Sequence, residues 1–134
     1  MKTPKVFALG LALALAAFTI AACGSGNSTP TKAFQTLYTA MKNKDVKAYK
    51  SVMPKKMLEM LEKAAKETNK SVDEFLGETL KDAPGKLTGN MPETRNEVIA
   101  ADGKTATLEV KDLDSGNWRK LEFIKEDDGW KISR

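Results

Sequence analysis

Up to about residue 82 the apolar positions recur at intervals of three and four, and from residue 96 they alternate with polar ones. The first half therefore predicts helices and the second half strands. Thr29-Pro30 supplies a capping hydroxyl and a proline for a first turn. Ala33, Phe34, Leu37, Tyr38 and Met41 follow as one apolar stripe. Asn43-Lys44 breaks that stripe, and Asp45 caps a short second helix presenting Ala48, Tyr49 and Val52. Met53-Pro54 ends it and starts a third helix, whose face is Met57, Leu58, Leu61, Ala64 and Ala65. Ser71 and Glu74 are spaced as a capping box, opening a fourth helix with Phe75, Leu76 and Leu80. Ala83-Pro84-Gly85 closes it, and residues 86–92 read as an irregular connection.

Residues 96–101 and 104–111 predict a hairpin around Asp102-Gly103, a two-residue turn of type I′. Asp112 to Gly116 turns into a strand over 118–125, and Asp127-Asp128-Gly129 turns into Trp130-Lys131-Ile132. Alternation places Ala106, Leu108, Val110, Leu121, Phe123, Trp130 and Ile132 on the inward face. Helices followed by an antiparallel meander predict an α+β domain with the helices packed on one face of the sheet.

The N-terminal stretch has a different character. Lys2 and Lys5 are followed by 17 residues, 6–22, without charge. A basic start, an apolar run and small residues at its end are the parts of a secretory signal. Ile20-Ala21-Ala22-Cys23 resembles the lipobox of bacterial lipoproteins. In that family cleavage precedes the cysteine, whose sulfur carries diacylglycerol and whose amine is often acylated. An uncleaved anchor needs roughly 20 strongly apolar residues, and this run is shorter and rich in alanine. Cys23 is the only cysteine, so no internal disulfide can form. The predicted organisation is a signal peptide over 1–22, a lipidated Cys23 with a flexible tether over 23–29, and one α+β domain over 30–134. The expected location is the cell envelope. Gly24 is not the aspartate that retains such proteins at an inner membrane, so in a Gram-negative cell the resemblance implies the outer membrane, facing the periplasm.

Charge refines this picture. Residues 31–70 hold ten lysines against four acids, whereas 71–134 hold ten basic and fourteen acidic residues. The basic half could press on anionic headgroups, at about 1 kcal/mol per well-placed lysine. A solvated helical face with Glu59–Lys63 and Glu62–Lys66 pairs is the preferred reading. Nearly balanced charge on an exported chain argues against nucleic acid as a partner.

The frame Phe34-x-x-Leu37-Tyr38-x-Ala40-x-x-x-x-Asp45-x-x-Ala48-Tyr49 resembles the opening of small nuclear-transport-factor-2-like domains, lipoproteins of unknown function among them. The ending Asp127-Asp128-Gly129-Trp130-Lys131-Ile132 is similar to theirs as well. The resemblance implies a cone: a curved sheet around helices with a cavity at its open end.

Chemistry is sparse. Histidine is absent, which removes the commonest general base and metal ligand. None of the predicted inward strand positions ionises. Tyr38 and Tyr49 lie on apolar stripes and read as core tyrosines with their hydroxyls at the edge. Asp112-Leu113-Asp114-Ser115-Gly116 begins like a calcium loop but has Phe123 where a bidentate glutamate belongs, so a hairpin turn is the better reading. Met53, Met57, Met60 and Met91 could line an adaptable groove, with Met57 expected in the core. No catalytic residue, metal site or cofactor is expected.

Two functions stay open. One is a binding module holding a small apolar or amphipathic ligand in a cavity lined by Phe34, Tyr38, Leu108, Phe123 and Trp130. The other is a scaffold that meets an envelope protein through Trp118 and Ile124 on an exposed sheet face. A bulge at Gly116-Asn117 would instead bury Trp118.

Overall fold

The computed structural model describes residues 27–82, 87 and 89–134. Residues 1–26, with the expected signal peptide and Cys23, and Ala83-Pro84-Gly85 lie outside them. Four helices precede four strands: α1 Pro30–Asn43, α2 Val46–Ser51, α3 Lys55–Glu67, α4 Val72–Lys81, then β1 Thr94–Ile99, β2 Thr105–Lys111, β3 Trp118–Glu126 and β4 Gly129–Ile132. The strands form one antiparallel sheet in the order β1-β2-β3-β4. The chain is α+β, as the change of period predicts.

Local chemistry sets the helix boundaries. The Thr29 hydroxyl accepts from the Lys32 N–H, and the Asp45 carboxylate accepts from Ala48 N–H at 3.0 Å. Lys44, between those helices, takes the left-handed conformation (φ 57°) and its N–H closes α1 on the Ala40 and Met41 carbonyls. Both halves of the Ser71–Glu74 capping box form, at 3.2 and 2.8 Å. Each cap satisfies an N–H that a helix terminus would leave without a partner.

The core lies between α1 and the sheet. Ala33 and Phe34 of α1 and Val52 meet Ala106, Leu108, Val110, Phe123 and Trp130, with Leu37, Leu121 and Ile132 packed against them. These strand positions are the ones alternation predicts to face inward. Register puts polar residues on that face as well, Thr94 opposite Val110 among them. Arg119 is opposite Val110, Lys125 is opposite Trp130, and Glu97 lies two residues before Ile99, which is opposite Ala106. Helix α4 buries Leu76 and Leu80 and packs on α2 and α3.

Three local expectations change. The first hairpin has no two-residue turn: Ala100 N–H donates to Thr105, Gly103 N–H donates to Ala100, and only Gly103 (φ 66°) is left-handed. A type I′ turn would need Asp102 left-handed too. Strand β1 starts at Thr94 and is bulged, the register shifting between Arg95 and Val98 around Asn96 (φ 52°). The folded body also begins earlier than Pro30. Asn27 is 1% exposed, donates to the Ser51 carbonyl at 2.9 Å and accepts from Trp130 N–H at 2.9 Å.

The free edge of β4 is closed by the same segment. Ile132 N–H donates to the Val52 carbonyl at 2.9 Å. Lys131 points to the other face and is 2% exposed, because the Ser51 carbonyl (2.6 Å) and Asp128 (2.7 Å) enclose its ammonium.

Candidate functional site

A cavity of about 360 Å³ opens where the C-terminal half of α1 diverges from the sheet. Phe34, Leu37, Tyr38 and Met41 form one wall, on the stripe that makes α1 amphipathic. Val110 and Leu121 form the opposite wall, and they are cross-strand diagonal neighbours on the inward face. Leu87 and Pro92 close one side, from the connection between α4 and β1. The β2–β3 loop supplies the rim, with Lys111, Asp112, Leu113 and Asp114, together with Arg119 at the start of β3.

The site is apolar inside and charged at its mouth. Tyr38 is 5% exposed and donates its hydroxyl to the carbonyls of Gly89 and Asn90, each at 3.2 Å. That bond ties the connection to α1 and leaves the tyrosine ring as a wall. At the rim Asp112 is occupied by its own loop: one carboxylate oxygen accepts from Asp114 N–H, Ser115 N–H and the Ser115 hydroxyl, at 3.0, 2.9 and 3.1 Å. Those bonds, led by the one from Ser115 N–H, hold its pKa below the ordinary value. The other oxygen lies 3.5 Å from the Arg119 guanidinium, whose side chain is 74% exposed. The loop is a hairpin connection, closed by Asp112 N–H to Asn117 and Gly116 N–H to Asp112.

The five residues predicted to line a cavity are divided by the structure. Phe34 and Tyr38 line this one. Leu108, Phe123 and Trp130 are 1–2% exposed and fill the packed core beyond its floor. The signal for the true walls was present in the stripe (Leu37, Met41) and in the alternation (Val110, Leu121). Arg119 shows no such signal, since a polar residue ending an alternating strand reads equally as solvent-facing.

The outward sheet face places the two contact candidates apart. Trp118 is paired with Lys111 in unbroken β2–β3 register, so no bulge turns it inward. It is half-buried all the same, because the Arg95 guanidinium lies 3.9 Å from its ring centroid. Ile124 shares the face but sits six residues away, roughly 20 Å along the strand. Met57, expected in the core, is 39% exposed on α3.

No group of three or more metal-ligating side chains occurs among the described residues. No family model matches the chain, nor does any curated protein or solved structure, so the reading of this site rests on its own geometry.

Proposed function

We propose that the chain is a lipid-anchored, non-enzymatic protein of the cell envelope that binds a small apolar or amphipathic ligand in the α1–sheet cavity. The cavity itself carries this reading. Its volume of about 360 Å³ falls in the range of roughly 300–1,000 Å³ typical of small-molecule sites, which combine apolar walls with a few polar groups. Here the polar groups sit at the rim, where they would meet the head of an amphiphile while its tail displaced water from Phe34, Leu37, Met41 and Leu121. A cone-like wrapping of sheet around helix, with its open end at the β2–β3 loop, agrees with that placement. The lipobox resemblance of Ile20-Ala21-Ala22-Cys23 supports the anchor.

A scaffold role through the sheet face has weaker support, because Arg95 covers Trp118 and Ile124 stands far from it.

The proposal is tested by titrating the protein with an environment-sensitive apolar dye, alongside Leu121→Trp. The larger side chain projects into the cavity from its wall, so the variant is expected to lose at least about tenfold in dye affinity with its circular dichroism unchanged. Equal affinity in the two proteins would place dye binding elsewhere and refute the proposal.

A further inference from the structure

The end of the molecule nearest the lipid can be located. With Cys23 lipidated, a premise taken from the function proposed above, four peptide steps separate its Cα from that of Asn27. The two atoms are then at most about 14 Å apart. Asn27 is fixed against the Ser51 carbonyl of α2 and against Trp130 at the start of β4. The C-terminus of α2 and the β3–β4 turn are therefore the parts of the domain held beside the bilayer.

Helix α3 lies at this end. Its first N–H, from Lys55, donates to the Glu126 carboxylate at 3.0 Å, at the end of β3. In the first turn of the following helix, α4, Asp73 pairs with Lys50 at 2.7 Å, and Lys50 is the neighbour of Ser51. The start of α3 and the start of α4 are thus both fixed at this end of the molecule. Leu58, Leu61 and Ala65 form the covered side, with Ala65 1% exposed.

The uncovered side of α3 is not an ordinary solvated face. Met60 is 64% exposed, and Met57, at the edge of that side where it also borders Tyr49, Val52 and Ile132, is 39% exposed. Lys56 and Lys63 precede and follow Met60 by four and three residues, so they flank it on the same face. Neither lysine forms an ion pair with another described residue, and the predicted Glu59–Lys63 and Glu62–Lys66 pairs do not close. Glu59 and Glu67, the last residue of the helix, are the acids on that face.

We infer that α3 is a second, non-covalent contact with an anionic lipid surface. Met57 and Met60 enter the headgroup layer while Lys56 and Lys63 reach the phosphates, the arrangement of an interfacial helix with a short apolar stripe. Either attraction alone is weak. The covalent anchor makes the encounter intramolecular, so a modest intrinsic affinity suffices to keep the helix down. The cavity lies at the β2–β3 end of the sheet and α3 at the β3–β4 end, so docking turns the mouth away from the bilayer.

The test uses the full chain, processed in cells and reconstituted into vesicles of phosphatidylethanolamine and phosphatidylglycerol. Met60→Cys carries a spin label, and Leu113→Cys, exposed at the cavity rim, carries the same label as a reference. The position-60 label is expected to be accessible to oxygen and shielded from a water-soluble nickel relaxant, with the position-113 label showing the reverse. Adding Lys56→Glu and Lys63→Glu is expected to shift the docked-to-free ratio at least about tenfold towards free. Equal relaxant access at positions 60 and 113 would overturn the inference. The unsubstituted protein is a separate readout: uptake of label at Cys23 would show a free thiol and overturn the anchor on which the inference rests.

Discussion

The Arg95 guanidinium stacks 3.9 Å from the centroid of the Trp118 ring and at the same time pairs with Glu109 at 2.7 Å. Cation–π attraction and the ion pair hold one side chain flat across the outer sheet face. The Asn96 bulge contributes as well, since its side-chain amide donates to the same Glu109 oxygen at 2.9 Å. These bonds, the one from Arg95 foremost, lower the Glu109 pKa. Arg95→Ala is expected to uncover the indole, giving a red-shifted and more readily iodide-quenched tryptophan emission. Unchanged quenching would mean that Arg95 does not shield the ring.

Phe123 and Tyr38 separate packing from cavity. Phe123 is 1% exposed at the centre of the core, so Phe123→Ala should cost about 3–5 kcal/mol in chemical denaturation. Tyr38→Phe removes only the hydroxyl that holds the Gly89 and Asn90 carbonyls. It should cost about 1 kcal/mol and speed amide exchange around residues 89–91. A loss as large as that of Phe123→Ala would place Tyr38 in the core rather than at the cavity wall.

The Lys131–Asp128 pair gives a pH dependence with a definite sign. The hydrogen bond from Lys131 holds the Asp128 carboxyl below its ordinary pKa. A carboxylate depressed in the folded state adds stability at neutral pH, and that stability disappears as pH falls through the ordinary carboxylate range to the lowered value. Asp128→Asn should therefore lower stability at pH 7 and flatten this part of the acid limb. The exposure of Asp128 keeps the effect small. Lys131→Met should cost more, about 1.5–3 kcal/mol, because it removes the charged hydrogen bond to the enclosed Ser51 carbonyl, which then keeps only the Asn27 amide. If Asp128→Asn left the acid limb of the stability curve unaltered, the pair would not contribute.

Arg119 and Asp112 face each other at the cavity mouth across 3.5 Å, with the arginine largely in solvent. Such a pair contributes between about 0 and 1 kcal/mol. Arg119→Ala should accordingly leave the melting temperature within about 4 °C while weakening binding of an anionic amphiphile more than that of a neutral one. Equal weakening of both would remove Arg119 from head-group recognition.

The parts of this fold that were legible in the sequence are those decided within a few residues. Thr29, Asp45 and the Ser71–Glu74 box cap helices three residues away, and the alternation around Leu108 and Phe123 assigns faces through the strand period alone. The Asn96 bulge was not legible, because it depends on pairing with Glu109 across the sheet. Lys131 reads as a solvated strand lysine, and only the return of α2 to the sheet edge encloses it. Asn27 reads as linker for the same reason, its partners lying 24 and more residues away. The cavity was half legible: the α1 stripe names one wall, while its floor and rim depend on how far Leu108 and Phe123 pack inward and on where the β2–β3 loop turns.

The most direct test of the central claim is native mass spectrometry of the protein released gently from its own envelope. The expected result is a reproducible small-molecule adduct of amphiphile mass that is lost on denaturation and absent from Leu121→Trp. A bare protein mass from fresh envelopes, or an adduct that survives in Leu121→Trp, would contradict it.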